Sequence, residues 1–538
     1  MKKFLSLLCV SAMTLTLVGC GNTGSNSNNG NYVTLAKEVD VISMDTTYAT
    51  DGMSFEVISA TTEGLETMDK DGNIIPALAK DYTVSDDGLT YTFNLRDAQW
   101  SNDTPVTAND FVFAWNTAIK NEACEYAYLF TQDGACIKNA DDILKGKDAT
   151  LGVTAKDDHT LVVELSKKCP YFLSLMTFPV FFPINEEFYK QQGDKYALTP
   201  DNLLACGPYK LTNWEKGKGL VLDKNDKYWD KDNVKVDGIN YNIVAEASTS
   251  ALDFESGNTD YTKLNSTLVD KYKDSDEYAS FLEGYLWYLQ FNYNNKVLQN
   301  VNVRKAIATV IDRTDLVENV LKDGSIAKGG FVPSKFTNGP DGKDYVETGK
   351  EYYNLKGKEA LNEANKYWEQ AKKELGTSEI TLRLLYEPSD PAKPTAEFIQ
   401  SQLQQLDGLH LEMVSLEKES RIEKQKQHDF DIALTRWGPD YADPTTYLNL
   451  LLTDNDYNYG QYKNPKYDAL LEKAENASSP QERWDLLHKA EDLLMEDTPV
   501  AGLFQVGGAS LVRKGVTGIE SHSSGVPYLY KNLTKESK

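Results

Sequence analysis

The stretch LTRWGPDYADPTTYL, residues 434–448, places the acid Asp440 between Trp437 and Tyr441, directly after a Gly-Pro turn. Just upstream, residues 428–434 (HDFDIAL) alternate polar and apolar side chains, which predicts a strand. The aromatic and acidic side chains are therefore expected at or beyond a strand end, where open α/β sheets bind their ligands. The two aromatic rings can contact an apolar part of a ligand while the carboxylate pairs with a cationic group of the same ligand.

A turn without any ligand explains the same letters. A second carboxylate, Asp443, precedes Pro444, and this pair is typical of the start of a helix. In that interpretation Asp440 is a turn residue as well. The local pattern leaves both interpretations open.

The same stretch resembles the signature of the extracytoplasmic peptide-binding proteins of ABC importers, the oligopeptide-binding family. The residues that carry the resemblance are Trp437, Asp440, Tyr441, Asp443, Pro444, Thr445, Tyr447 and Leu448. The resemblance implies that Asp440 pairs with the free α-amino group of a peptide. The chemistry fits, because a buried ammonium without a counter-charge costs several kcal/mol.

Segments elsewhere in the chain are similar to the same family. They read EGL at 63–65, IPALA at 75–79, SDDGLTYTFNLR at 85–96, WS at 100–101, TPVTA at 104–108, CGPYKL at 206–211, DKYWD at 226–230 and FESGNTD at 254–260. The block between residues 63 and 108 is the most specific part of the resemblance. It contains turns and a helix start, so we expect it to build the fold rather than to contact ligand.

Hydrophobic periodicity changes along the chain. Strand patterns dominate up to about residue 293, and a capping box at Thr107 and Asp110 predicts a helix that runs to about Lys120. The later part alternates helices with strands; the helices are predicted near 357–375, 391–405, 464–477 and 480–496, and the strands at 379–386 and 409–416. Such alternation predicts a parallel sheet covered by helices on both faces.

The resemblance implies an α/β, periplasmic-binding-protein-like fold of the dipeptide/oligopeptide-binding type, with two lobes around a cleft and an inserted extra domain. The boundaries expected from it are lobe I at 32–66, 190–286 and 508–538, the inserted domain at 67–189, and lobe II at 287–507. Two strands that cross between the lobes are expected to act as a hinge that closes on ligand.

The N-terminus has the features of a bacterial signal peptide over residues 1–19. Lys2 and Lys3 precede an apolar run, residues 4–18, which is too short and wrongly flanked for a membrane-spanning helix. The run ends in LVGC, which resembles a lipobox and implies that Cys20 is lipidated. An ordinary signal peptide with an incidental cysteine is the alternative. Residues 20–31 then form a flexible polar tether.

Composition limits the partners. The chain has 538 residues and a net charge of −25. This acidity argues against binding to nucleic acid and against attachment to anionic lipid headgroups, because both surfaces are negatively charged. Membrane contact is therefore expected through the lipid anchor only, and the chain is expected to act as a monomer.

Four cysteines remain when those of the signal peptide and the lipobox are set aside. They are Cys124, Cys136, Cys169 and Cys206. Outside the cytoplasm four cysteines allow two disulfides in three connectivities. Spacing favours Cys124–Cys136, with Cys169–Cys206 left over, and reduced thiols fit the sequence equally well. The paired C-x-x-C spacing of a zinc site is absent.

Enzymatic motifs are missing from the sequence. It contains neither a G-x-S-x-G elbow nor an H-E-x-x-H helix, and it has no glycine-rich phosphate loop. The histidines are scattered without ligand spacing, at His159, His410, His428, His488 and His522. We therefore expect no catalytic residue, cofactor or metal, and the ATPase of an importer must be another chain.

The resemblance implies that a peptide lies extended and pairs with protein backbone like an added strand. Two segments are expected to flank it, Gly52–Phe55, which includes Met53 and Ser54, and Thr435–Gly438. The best-known enterobacterial members have a Glu at the position of Ser54 and another at the position of Gln290, which lies near Asn292. The ligand preference of those members is therefore not carried over to this chain. We hypothesise that Arg436 pairs with a ligand carboxylate; the alternative is a solvated or Asp-paired arginine.

The expected function is capture of oligopeptides and their delivery to an ABC permease, which works with ATPase subunits. An alternative keeps the fold and changes the ligand to a signalling peptide, a nickel chelate, haem or a glycan. A secreted hydrolase or an adhesin is a third possibility, which the missing catalytic motifs disfavour.

Overall fold

The computed structural model describes residues 30–389 and 391–536. The predicted signal peptide, the lipidation site Cys20 and nearly all of the tether lie outside these ranges. Within them, no helix is both long enough and apolar enough to cross a membrane.

The described residues form strands along the whole chain, and most of these strands are short. They are β1 Tyr32–Lys37, β2 Glu66–Met68, β3 Ile74–Pro76, β4 Ala79–Val84, β5 Thr90–Leu95, β6 Val153–Asp157, β7 Thr160–Glu164, β8 Tyr209–Glu215, β9 Gly219–Lys224, β10 Gly238–Ile243, β11 Tyr261–Lys263, β12 Tyr278–Phe291, β13 Ile326–Ala327, β14 Ile380–Tyr386, β15 Leu409–Ser415, β16 Ile432–Trp437, β17 Val500–Val512, β18 Val516–Thr517, β19 Glu520–Ser521, β20 Tyr528–Leu529 and β21 Thr534–Lys535.

The longer helices lie in the second half. The α-helices are α1 Gly52–Thr61, α2 Ala108–Lys120, α3 Ala140–Leu144, α4 Phe172–Leu175, α5 Glu186–Gln192, α6 Ala247–Glu255, α7 Ser266–Tyr272, α8 Val301–Val310, α9 Arg313–Asp315, α10 Tyr345–Thr348, α11 Gly357–Leu375, α12 Ala392–Leu403, α13 Lys418–Lys426, α14 Thr445–Leu448, α15 Pro465–Glu475 and α16 Pro480–Asp497.

One mixed sheet runs through both lobes. Its strand order is β15-β14-β16-β12-β17-β11-β1-β10-β9-β8, and β13 pairs with β17 beside this path. The predicted parallel pairing is confirmed for β14 with β15 and with β16. The strands β12 and β17 join this part to the strands of lobe I through antiparallel pairing.

The region expected as an inserted domain has a separate four-stranded antiparallel sheet, in the order β4-β5-β7-β6. Its helix α2 begins with the predicted capping box, in which Thr107 and Asp110 satisfy each other's backbone N–H groups. The two lobes share one sheet, and the inserted region shares an apolar core with lobe I. Neither the sheet nor the apolar core therefore separates the domains, and the domain boundaries given above remain predictions.

Strand β12 belongs to two apolar cores at once. Trp287 and Leu289 pack into the core on one face of the sheet, while Leu286 and Tyr288 pack into the core on the other. This follows from the alternation of side chains along a strand. The strand is therefore buried on both faces in lobe II, and it fixes the position of its neighbour β16.

A bulge interrupts β12 where the strand passes from lobe I to lobe II. The register against β17 shifts between Leu282 and Leu286, so residues 283–285 bulge out of the ladder. The carbonyl of Gly284 accepts a hydrogen bond from the Tyr447 hydroxyl. A Cβ at Gly284 would lie 1.6 Å from the Ser523 carbonyl oxygen, so only glycine fits at this crossing.

Replacement of this glycine gives a first test. Gly284→Ala should lower the free energy of unfolding by about 3 kcal/mol, because the added methyl forces the backbone of the bulge away from residue 523. Gly508→Ala on the facing strand is the matched control, since its Cβ would meet its nearest atom at 3.6 Å. Urea denaturation of the two variants measures the difference, and equal stability would contradict this account of the crossing.

Candidate functional site

The predicted cluster lies in the loop between β16 and α14. Strand β16 begins at Ile432 and continues to Trp437, so it starts and ends later than the 428–434 pattern predicted. Asp440 is half-buried in the following turn, where its backbone N–H donates to the Thr446 hydroxyl at 3.2 Å. Its carboxylate takes part in no ion pair within residues 30–389 and 391–536.

Tyrosines surround the Asp440 carboxylate. Burial raises the pKa values of their phenol groups, and the negative charge of Asp440 raises these pKa values further; the tyrosines are Tyr126, Tyr128, Tyr285, Tyr441, Tyr447 and Tyr457. Burial raises the pKa of Asp440 from 3.8 to about 7, and a hydrogen bond from the Tyr128 side chain offsets only part of this effect. The carboxylate thus lies in a desolvated pocket that holds hydroxyl groups but supplies no positive charge.

The second acid of the motif has a different environment. The two oxygens of Asp443 accept hydrogen bonds from the Arg483 guanidinium at 2.7 and 2.8 Å. Asp443 also accepts from the backbone N–H and the hydroxyl of Thr445 at 3.0 and 2.6 Å, which fixes the start of α14. The turn-and-cap interpretation therefore describes Asp443, whose charge is neutralised within the protein, whereas Asp440 keeps an unpaired carboxylate.

Strand β16 has an open edge next to Asp440. Its neighbour β14 pairs with it only at Ile432 and Ala433, while β12 pairs along its whole length. Residues 434–437 therefore have no strand partner on one side in the part of the chain that the structure describes. Such an edge presents N–H and C=O groups that an extended chain can pair with.

The side chains around this edge differ in their environment. Arg436 is exposed and lies over Tyr285 at 5.2 Å and Trp287 at 5.5 Å, and no described carboxylate pairs with it. The indole of Trp437 packs edge-on against Tyr457 at 4.8 Å, and its buried Nε1–H has no hydrogen-bond partner. Arg436 therefore has no ion-pair partner among the described residues, and the indole N–H of Trp437 is left without an acceptor.

Two other predicted residues shape the strand end. The hydroxyl of Thr435 is buried and accepts from Arg421 at 3.1 Å. A Cβ at Gly438 would lie 2.3 Å from the ring of Tyr285, so this glycine lets the turn pass close to that ring. Neither side chain is available to a ligand, and only their backbone groups remain candidates.

The loop also touches the inserted region across the cleft. The ring of Tyr441 stacks on Tyr171 with a centroid distance of 3.9 Å, and the N–H of Ala442 donates to the Ser174 hydroxyl at 2.8 Å. A cleft of about 1380 Å³ opens beside this contact. Its lining includes Asp443, which Arg483 neutralises, and Tyr171, but it does not include Asp440.

The segment 52–55 corrects one prediction. It forms the first turn of α1, not an extended edge. Ser54 is fully buried; its hydroxyl accepts from the N–H groups of Ile42 and Ser43 and donates to Asp51. Met53 and Phe55 are buried too, so all three side chains of this segment shape the wall and do not reach ligand.

Gln290 and Asn292 are also placed in the interior. Gln290 accepts from Gln425 at 2.7 Å, and the amide of Asn292 donates to the carbonyls of His428 and Phe430 at 2.9 and 2.7 Å. Gln290 and Asn292 are both 2% exposed, so the expectation that they contact ligand stays a prediction to which this burial lends no support. They hold β12 to the segment that leads into β16.

The predicted disulfide pairing is wrong in this structure. Cys124, Cys136, Cys169 and Cys206 are all free and buried. The thiols of Cys136 and Cys169 lie side by side, because both donate to the carbonyl of Gly134, at 3.6 and 3.5 Å. Spacing along the chain misled the prediction, since the fold brings together cysteines from two separate loops.

Sequence reasoning missed four tyrosines of the site. They are Tyr126, Tyr128, Tyr285 and Tyr457. The first two come from the inserted region, Tyr285 from the bulge and Tyr457 from a loop after α14, so no spacing links them to Asp440. Tyr447, which the motif suggested for the cleft, is fully buried against the bulge.

Comparison with known proteins gives the family. The model of the bacterial extracellular solute-binding proteins, family 5, middle region, matches residues 73–459. The chain belongs to this family. Its members are extracellular solute-binding proteins, and the match includes Asp440, the open edge of β16 and most of the inserted region.

Relatives extend the match to nearly the whole chain. The dipeptide-binding protein DppE of Bacillus subtilis is 31% identical over 97% of this chain and 97% of its own length. A structure of Listeria monocytogenes OppA bound to peptide is 36% identical, covers 95% of this chain and 100% of that chain, and has a TM-score of 0.74. The two-lobed α/β binding-protein fold expected from the motifs is confirmed.

Two structures of the murein tripeptide-binding protein MppA also match. Both are 25% identical to this chain. An unliganded open form covers 94% of this chain and 97% of that chain with a TM-score of 0.81, and an Escherichia coli structure covers 93% of this chain and 98% of that chain with a TM-score of 0.73.

The unpaired carboxylate predicts a stability that depends on pH. An acid with a higher pKa in the folded chain than in the unfolded chain binds extra protons when folded, so stability falls as pH rises between the two values, here 3.8 and about 7. Ligand-free Asp440→Asn should be more stable than wild type at pH 8, on the order of 2 kcal/mol. The difference should disappear near pH 4.

Asp443→Asn is the matched control for this experiment. It breaks a buried ion pair and should destabilise the protein at pH 8 by about 3 kcal/mol. Chemical denaturation of the three proteins at both pH values measures the effects. Loss of stability at pH 8 in Asp440→Asn would contradict the environment described for Asp440.

Proposed function

We propose that this solute-binding protein captures oligopeptides at Asp440 and delivers them to the permease of an ABC importer. The observation that carries the proposal is a desolvated carboxylate without a cation beside an unpaired strand edge. A peptide N-terminus supplies what this site lacks: a positive charge with N–H donors, followed by an extended backbone. The names and bound ligand of the relatives agree with this ligand class.

Backbone pairing explains how such a site accepts different peptides. A peptide that extends along residues 434–437 adds a strand to β16, and its affinity then comes from main-chain hydrogen bonds common to all sequences. Its side chains project into the cleft, where water adapts to each of them. The phenol groups of Tyr285 and Tyr457, both more than 40% exposed, supply further donors and acceptors.

Arg436 gives the site a second charge. Burial raises the pKa of the Tyr285 phenol, the positive charge of Arg436 lowers this pKa, and the negative charge of Asp440 raises it. Both charged groups therefore lie near the Tyr285 ring. We assign to Arg436 the pairing with a ligand carboxylate, which is either the C-terminus of a short peptide or an acidic side chain near its N-terminus. The exposed guanidinium has no competing carboxylate partner within the described residues.

Attachment to the membrane follows from the lipobox. Lipidation of Cys20 would anchor the protein on the outer face of the cytoplasmic membrane as a monomer, with residues 21–31 as a tether. Closure of the lobes about β12 and β17 would then present the loaded form to the permease, while ATP hydrolysis belongs to other subunits. The protein itself performs no chemistry on the peptide.

Peptides blocked at either end test the two assigned charges. Near pH 7.5, Asp440→Asn should weaken binding of a free-amine peptide by about 10- to 100-fold and leave its N-acetylated form unchanged, because only the free amine uses the carboxylate. Arg436→Gln should weaken binding of peptides with free carboxylates and spare their amides. Isothermal titration of protein stripped of copurified ligand measures both.

The two variants control for each other. Asp440→Asn should no longer distinguish free-amine from acetylated peptides, and Arg436→Gln should no longer distinguish free carboxylates from amides. Equal losses for free and acetylated peptides in Asp440→Asn, or none for either, would contradict the role of Asp440. The proposal that the ligands are oligopeptides would be contradicted separately if wild-type protein bound no peptide of a mixed-sequence library.

A further inference from the structure

Two thiols meet at the base of the loop that contacts lobe II. Cys136 and Cys169 donate to the same carbonyl oxygen, that of Gly134, at 3.6 and 3.5 Å. The thiols also hydrogen-bond to each other, which lowers the pKa of Cys136 below the usual range, while burial raises that of Cys169. A Cβ at Gly134 would lie 2.2 Å from the Leu129 carbonyl, so the turn that presents this oxygen depends on glycine.

The pair differs from the other two cysteines in its access. Cys169 lines the 1380 Å³ cleft between the inserted region and lobe II, whereas Cys124 and Cys206 do not. Cys136 and Cys169 are therefore adjacent thiols, and one of them lines the cleft.

We propose that Cys136 and Cys169 form a disulfide when the protein meets a disulfide oxidant, and that this bond fixes the segment that contacts lobe II. The protein belongs to an extracellular family, and disulfides persist outside the cytoplasm. The inference is independent of the ligand, because it uses neither Asp440 nor Arg436.

The chemistry is thiol–disulfide exchange. One of the two cysteines, as the thiolate, attacks one sulfur of the oxidant and expels the first oxidant thiolate, which takes up the released proton. The thiolate of the other cysteine then attacks the protein sulfur of this mixed disulfide and expels the second oxidant thiolate, which takes up the second proton. Two protein thiols are oxidised to one disulfide, and one oxidant disulfide is reduced to two thiols, so electrons and protons balance.

The bond would act on the contact between the lobes. Tyr171 and Ser174 follow Cys169 within five residues and contact Tyr441 and Ala442, the two residues after Asp440. Lys167, just before Cys169, pairs with Glu475 of lobe II at 3.5 Å. A covalent link at residue 169 thus restrains a segment whose neighbours on both sides contact lobe II.

Peptide mapping tests the pairing. The full chain is incubated with oxidised glutathione, denatured, alkylated and digested without reductant. We expect one cross-linked species that joins the peptides containing Cys136 and Cys169, with Cys124 and Cys206 recovered as alkylated thiols. Alkylation of Cys136 and Cys169 after this treatment, or a cross-link of either to another cysteine, would overturn the proposal.

Thermal unfolding tests the restraint. Reduction of the oxidised wild type should lower Tm by about 3 °C, because the bond no longer limits the unfolded chain. Cys169→Ser and Cys136→Ala should show no difference between oxidising and reducing buffers. Cys206→Ser, a buried cysteine outside the pair, should keep the wild-type shift, and loss of the shift in this control would also overturn the proposal.

Discussion

A desolvated carboxylate without a counter-charge is the constraint on which the site depends. Burial alone would drive Asp440 to bind a proton, and the surrounding tyrosines offer hydrogen bonds but no cation. A protein keeps such a group at a cost in stability, so its presence beside a cleft indicates a ligand that supplies the missing charge. Asp443, three residues later, shows the contrast, since Arg483 already neutralises it.

The fold holds this acid close to the strands that connect the two lobes. Strand β12 is locked between two cores in lobe II and pairs with β16, and the loop that follows β16 carries Asp440. The bulge at residues 283–285 interrupts the strand between the lobes and brings Tyr285 to the site. The strand that connects the lobes therefore also contributes a side chain to the surroundings of the carboxylate.

The sequence alone predicted the fold well, and the role of Asp440 as the acid that binds ligand stays a prediction. Capping signals, periodicity and the motif at 437–448 are local, so the structure confirmed α2, α11 and α16 within one residue of the predicted bounds. Side chains that meet across separate segments had no such signal. Tyr126 and Tyr285 could not be linked to Asp440 from the sequence for this reason.

Differences between the prediction and the structure have the same origin. Ser54 and Gln290 were chosen by their position relative to family members, but burial directs their side chains into hydrogen-bond networks of the interior. The cysteines were paired by distance along the chain, whereas Cys136 and Cys169 meet only because the turn at Gly134 folds back toward residue 169. Hydrophobic alternation and residue spacing describe a single segment of the chain, so they do not show which side chains meet between segments.

Proton release on peptide binding is the most direct test of the central claim. A bound ammonium favours the charged carboxylate, so Asp440 with a pKa of about 7 should give up its proton when a free-amine peptide binds. Calorimetry at pH 6, in two buffers with different ionisation enthalpies, counts the released protons. The account predicts nearly one proton for wild type and none for Asp440→Asn; tight binding without proton release in wild type would contradict it.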